Sequence, residues 1–181
     1  MAQDRNSPAI NRGASPWLDA SDVELLAQCE IDFYRASGPG GQKRNKTSSA
    51  VRLRHGPTSL IVTAVESRSQ HENKARAVRR LRQAIALSQR NPVRPGDRPP
   101  EFFAAALQRD AGLRVNYKNP EYWHIVQYVL DMLFACRGST GDTAQSLGIS
   151  TGHLVRFLKN DDKLWEFANR LRQEFGRSTL R

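Results

Sequence analysis

Two hydrophobic periods run along this chain. Between Cys29 and Arg35 the side chains alternate, with Cys29, Ile31 and Phe33 on one side and Glu30, Asp32 and Tyr34 on the other. A period of two predicts a half-buried strand. Ser48–Arg54 alternates again, with Val51 and Leu53 inward and Arg52 and Arg54 outward. His55-Gly56-Pro57-Thr58 reads as a turn. Ser59–Val65 returns with Leu60, Val62 and Ala64 toward the core, so the last two strands predict a hairpin.

The period then lengthens. Ser69 with Glu72 is a capping-box pattern that opens a long helix running to about Gln89. Ala75, Val78, Leu81 and Ile85 form its apolar stripe, and Lys74, Arg76, Arg79, Arg80 and Arg82 surround it. A second capping box, Ser21 with Glu24, starts a short helix to about Gln28. The expectation is an α+β domain over 21–90, a small antiparallel sheet packed by one long helix.

Outside that domain the patterns differ. Residues 1–20 open on an Asn/Ser/Pro/Gly-rich stretch that predicts a disordered N-terminus. Residues 91–119 form a linker that begins with four of the nine prolines and holds a short helix over Glu101–Ala111. Residues 120–181 read as an all-α domain. Pro120–Cys136 carries Ile125, Val129, Met132 and Cys136 along one stripe. Then come a short helix, a turn at Gly148, a second helix over Thr151–Leu158 and a third over Asp161–Phe175, a helix-turn-helix outline. Ala144, Leu147, Ile149, Leu154 and Leu158 are its expected core, with Trp165, Phe167 and Leu171.

Charge narrows the choice of partner. The chain carries 28 Lys and Arg against 18 Asp and Glu, a net +10. Residues 35–98 alone hold 15 basic residues and three acids (Glu66, Glu72 and Asp97), while residues 99–181 hold 11 basic and nine acidic. A basic excess confined to one third points to a polyanion bound there. Cys29 and Cys136 are too few for a disulfide framework, and no Cys/His cluster suggests a metal. No apolar run is long enough to span a membrane and the first residues lack a secretory core, so a cytoplasmic protein is expected.

Conventional catalytic groups are scarce. His55, His71, His124 and His153 sit in separate elements without a nucleophile beside them, and read as surface or helix-end histidines. The phosphate-loop pattern fails at Asn45-Lys46-Thr47. What remains is Ser37-Gly38-Pro39-Gly40-Gly41-Gln42-Lys43-Arg44-Asn45-Lys46-Thr47. Adjacent glycines open backbone torsions closed to other residues and let main-chain N–H groups approach a substrate. Such groups stabilise a developing oxyanion, and losing one commonly costs about 2.7–4 kcal/mol of barrier. Lys43, Arg44 and Lys46 would hold the loop against phosphates.

The stretch from Cys29 to Arg80 resembles the catalytic domain of class I peptide chain release factors. The matching pieces are Ser37-Gly38-Pro39-Gly40-Gly41-Gln42, Asn45-Lys46-Thr47, Ser49-Ala50-Val51-Arg52, His55-Gly56-Pro57-Thr58 and Arg68-Ser69-Gln70-His71-Glu72-Asn73-Lys74-Ala75. The resemblance implies that Gly40, Gly41 and Gln42 enter the peptidyl transferase centre of the large ribosomal subunit. There water attacks the ester joining the nascent peptide to tRNA. The backbone N–H of Gln42 would stabilise the transition state or leaving group, and its side chain would orient water. It also implies ribosomal RNA and peptidyl-tRNA as partners and a glutamine methyltransferase acting on Gln42. Neither metal nor other cofactor is expected, and a monomer is. Lys43, Arg44, Asn45, Lys46, Arg68, Lys74, Arg76, Arg79 and Arg80 are the expected RNA contacts.

Two departures shape the expected function. The family usually has His and Val after the Gln, where this chain has Lys43 and Arg44. Nothing here resembles a stop-codon decoding module, so the chain is similar to the short, codon-independent members that rescue stalled ribosomes. Their basic tail is replaced by a folded segment. The competing readings are a non-catalytic ribosome- or RNA-binding factor and a regulator using the helix-turn-helix. The second helix of that unit offers only His153 and Arg156, with Lys159 beyond, which is thin for DNA.

Overall fold

The computed structural model describes residues 15–35 and 48–181. Helix α1 (Pro16–Asp19) is one turn, α2 spans Asp22–Ala27, and strands β1 (Cys29–Tyr34), β2 (Ala50–His55) and β3 (Ile61–Ala64) form a sheet of order β1-β2-β3. Helices α3 (Gln70–Ser88), α4 (Glu101–Arg109), α5 (Tyr122–Ala135), α6 (Thr140–Leu147), α7 (Thr151–Leu158) and α8 (Asp162–Glu174) follow. The fold is α+β, a small antiparallel sheet under α3 with a set of further helices.

The sheet follows the alternation in sequence. Both pairings are antiparallel; β1 sets Tyr34 opposite Ala50 and Cys29 opposite His55, and β3 sets Ala64 opposite Val51. Val51, Leu53 and Ala64 are fully buried beneath α3. On the outer face Asp32 lies opposite Arg52 and Glu30 opposite Arg54, each pair 3.6 Å apart. These exposed pairs add only ~0–1 kcal/mol each, but they set the register and occupy two arginines. Phe33, expected inward, stays 42% exposed. Helix α3 packs chiefly across β2 and β3, leaving the outer end of β1 uncovered.

The Ser21–Glu24 capping box is complete, whereas at Ser69 the hydroxyl accepts from the Glu72 N–H. The stripe of α3 is shifted from the expected one. Ala75 is half-buried, and the covered row runs Asn73, Ala77, Val78, Leu81 and Ile85, with Ala86 and Leu87 added near the end. The extra positions belong to a second covered face, because α3 also packs on α5.

Helix α5 is buried over every residue from Ile125 to Leu133, not on one stripe. A helix apolar on all sides sits inside a core, and its polar members then need partners. Gln127 accepts from the Ser15 N–H (2.9 Å) and donates to the Gln89 carbonyl (3.2 Å). Asp131, 1% exposed, accepts from Arg90 (2.9 Å) and Asn91 (3.1 Å). Arg90 also donates to the Ala86 and Leu87 carbonyls, closing the C-terminus of α3. Burial pushes the Asp131 carboxyl up to about 6 against the opposing pull of Arg90, and burial likewise lowers Arg90. Desolvation therefore outweighs attraction in this pair.

Pro16–Asp19, within the terminal segment 1–20, form a helical turn because Leu18 is buried and Arg82 donates to the Leu18 and Ala20 carbonyls. Residues 1–14 lie outside the described residues. The helix-turn-helix outline is present, with Gly148 at φ 69° closing α6 in the left-handed region that favours glycine. Leu154, Phe157, Leu158 and Leu164 fill its core, while Trp165 and Phe167 are only half-buried.

Candidate functional site

Strands β1 and β2 are joined by the glycine-rich segment. Gly40, Gly41, Gln42, Lys43, Arg44, Asn45 and Lys46 fall within residues 36–47, outside the described residues. The two roots of that segment are described. Arg35 leaves the end of β1, Ser48 leads into β2, and the pairing of Tyr34 with Ala50 keeps the roots side by side.

The first turn of α3 grips the second root. Asn73 is fully buried, and its amide donates to the Ser49 carbonyl (2.7 Å) and the Ser67 carbonyl (2.8 Å). Its side-chain oxygen accepts from the Ser67 N–H (2.9 Å). Gln70 adds a bond to the Ser48 carbonyl (3.2 Å). Only a primary amide offers two donors and an acceptor at one point. The sequence stretch Gln70-His71-Glu72-Asn73 thus sits on the helix so that residues three apart reach the same strand end. Asn73 stood out in sequence only as part of a motif. Its position on the inward row of α3, where every neighbour is apolar, is the signal that marks it as a tie.

The expected basic contacts divide. Arg68, Arg76 and Arg79 are exposed and Lys74 half-buried, and none makes an ion pair with another described residue. Arg76 and Arg79 are neighbours on one face, whereas Lys74 lies about 200° around the helix from Arg76 at 100° per residue. Arg80 is engaged, donating to the Thr63 carbonyl and Glu66. It binds the end of β3 to α3 and is less available to a ligand. Arg82 is held by Leu18, Ala20 and Asp22 in the same way.

His55 is not at the surface. It is fully buried, with Nδ1 2.7 Å from the Thr58 hydroxyl, Nε2 3.3 Å from the Gln28 amide oxygen, and the Trp17 ring edge-on at 5.7 Å. Burial lowers its pKa, so the ring is held neutral. The parity of Val51, Leu53 and His55 on one strand was the available sign. His55-Gly56-Pro57-Thr58 is accordingly a hairpin lock, and the Gly56 N–H closes it on the Gln28 carbonyl (3.0 Å). His124 sits 2.9 Å from Asp19, at 11% side-chain exposure, another tie to the N-terminal turn. Among the described residues no group of His, Cys, Asp and Glu is arranged to hold a metal ion, and no helix is long and apolar enough to cross a membrane.

Residues 21–101 match the RF-1 domain. Peptide chain release factor 2 of Campylobacter jejuni subsp. jejuni serotype O:23/36 is 49% identical over 74 residues, 39% of this chain and 20% of that protein. Peptide chain release factor 1 of Magnetococcus marinus is 46% identical over 88 residues, 43% of this chain and 24% of that protein. Peptide chain release factor 1 of Acidiphilium cryptum is 52% identical over 68 residues, 37% and 19%. The chain spans about a fifth of the length of the curated relatives it matches. The Asn73 tie, the locked hairpin and the glycine-rich connection of β1 to β2 all fall within the residues, 21–101, that match the RF-1 domain.

Proposed function

We propose that this chain is a release-factor-like hydrolase that cleaves the peptidyl-tRNA ester in the peptidyl transferase centre without reading a stop codon, as a cytoplasmic ribosome-rescue factor. The observation that carries the reading is the RF-1 match over 21–101 around an intact Gly40-Gly41-Gln42. In this mechanism ribosomal RNA supplies much of the site. The Gln42 backbone N–H stabilises the departing oxygen, its side chain orients the attacking water, and the glycines let the backbone approach the ester. Proton transfer needs no tuned protein side chain, in keeping with a buried, neutral His55. Asn73 and Gln70 fix the Ser48–Ser49 root of the loop, and positional accuracy of this kind accounts for a large share of catalysis. Arg68, Lys74, Arg76 and Arg79 meet the rRNA backbone, and Lys43 and Arg44 add grip beside the loop. Gln42 is the acceptor for a glutamine methyltransferase.

The test is release of labelled peptide from ribosomes that carry peptidyl-tRNA on mRNA lacking a stop codon. Wild type should release, and Gly41→Ala and Gln42→Ala should lose release while still binding ribosomes. Lengthening the mRNA beyond the P site tests whether an empty channel is required. Wild-type binding without release would end the hydrolase reading. Unchanged ribosome affinity in Lys43→Ala/Arg44→Ala would remove those two side chains from the interface.

A further inference from the structure

The helical segment after residue 101 holds a cleft of about 470 Å³ between the turn at 112–117 and α7, lined by Arg114, Asn116, Tyr117, Tyr122, Arg156 and Asn160 among others. That is room for one nucleotide-sized ligand. The turn is tightly built. Asp110 accepts from the Gly112 N–H (2.7 Å), the Leu113 N–H returns to the Asp110 carbonyl (2.9 Å), and Leu113, 1% exposed, has φ 53°. A buried leucine in the left-handed region is strained, and such strain persists where the surroundings over-determine it. Here it presents residues 114–117 outward along the rim of the cleft.

The chemistry of the lining is mixed in a particular way. Tyr117 is 70% exposed, a large ring left free in solvent. Tyr122 is 3% exposed, and its hydroxyl donates to no described residue. Burial and the nearby Asp161 push that phenol up to about 12, so it stays protonated, a donor on the wall of the cleft. Arg156 on α7 is exposed and makes no ion pair among the described residues. Arg114 has only a loose, exposed contact with Asp110 (3.9 Å). Asp161, the other nearby acid, is committed to capping α8 through the Leu164 N–H (2.9 Å) and to Gln83. Free ring, two available guanidiniums, side-chain amides and a protonated phenol are the set that takes up an unstacked base and its phosphates.

We propose that this cleft binds one nucleotide of single-stranded RNA, the base stacked on Tyr117 with its edge toward Tyr122 and Asn160, and the flanking phosphates on Arg114 and Arg156. This site lies outside the residues that match the RF-1 domain and stands whether or not the glycine-rich loop hydrolyses an ester.

The experiment uses the full chain carrying Arg76→Ala/Arg79→Ala, so that α3 contributes less to RNA binding. Fluorescence anisotropy with a short, labelled, mixed-sequence single-stranded RNA is compared with an abasic oligoribonucleotide of equal length. Tyr117→Ala, at an exposed position, should weaken the single-stranded RNA on the order of tenfold or more and leave the abasic oligomer unchanged. Tyr122→Phe, which keeps the ring, should weaken it by a smaller factor, and Arg156→Ala should weaken both. Crosslinks from thiouridine-substituted RNA should map to 114–122 and α7. Unchanged affinity in Tyr117→Ala and Arg156→Ala, or equal binding of the abasic oligomer, would overturn the proposal. So would an acidic peptide that displaces the RNA as well as unlabelled RNA does, which would assign the cleft to a protein partner.

Discussion

Asn73→Ala removes three hydrogen bonds at once, and the consequence divides between stability and position. The Ser49 and Ser67 carbonyls and the Ser67 N–H all lose their partner in a buried setting. A net loss of about 0.5–1.5 kcal/mol per bond, and more where a group is left dry and unpaired, gives roughly 2–5 kcal/mol. Asn73→Asp separates the donors from the acceptor. It keeps the shape and the acceptor for the Ser67 N–H, but sets carboxylate oxygen against two carbonyl oxygens now 2.7 and 2.8 Å from the amide nitrogen. It should be worse than alanine at pH 8. The new carboxyl is favoured in its protonated form, which restores one donor, so its folded pKa is raised above the unfolded value. Its stability is then greatest at low pH and is lost as pH rises through the folded pKa. Urea unfolding followed by circular dichroism at pH 5 and pH 8 measures both variants. The peptide-release assay should fall further than the unfolded fraction explains, because Ser49 anchors the loop root. An Asn73→Ala midpoint equal to wild type, or an Asn73→Asp variant as stable at pH 8 as at pH 5, would refute the account of this residue as a tie.

Asp131→Ala should cost about 3–5 kcal/mol by leaving Arg90 buried without its partner, read as a shift in the urea midpoint. Because the Asp131 carboxyl is raised from 3.8 to about 6, the folded state holds its proton more tightly, so wild type should lose stability between those values as pH rises, and Asp131→Asn should not. Arg76→Ala/Arg79→Ala should leave unfolding unchanged and reduce the salt slope of ribosome binding by about one unit for each phosphate no longer neutralised; an unaltered slope would place the RNA face elsewhere. The His55 pKa is lowered by burial, so stability present above the unfolded value near 6.5 should decline as pH falls through the folded one, and His55→Gln should flatten that decline in thermal melts at pH 5 and 7.

How far the sequence led can be judged from particular residues. The strands, α3 and the helix-turn-helix were readable because each has a single apolar face whose period names the element. Ala75 and the stripe on α5 misled for the opposite reason: α3 and α5 touch more than one partner, and a second covered face erases the period. Gln127 and Asp131 were the trace of that arrangement, since polar groups inside an apolar helix require long-range partners that no local pattern supplies. His55 was legible by strand parity, yet histidine chemistry drew attention to the surface. The glycine-rich tripeptide was legible only by resemblance, and Arg80 could not be separated from its basic neighbours without the position of Glu66.

Helix α3 carries fixtures at both ends. Asn73 holds the loop root at one, and Arg90, just past the other, is locked into α5. Its 19 residues at 1.5 Å each make a strut about 28 Å long. A strut clamped at both ends works as a calliper. Whatever surface seats the C-terminal helices, the strand end at Ser49 stands at a set distance and direction from it. A receptor surface of different dimensions could engage the C-terminal helices or the Ser49 end of the sheet, but not both at once.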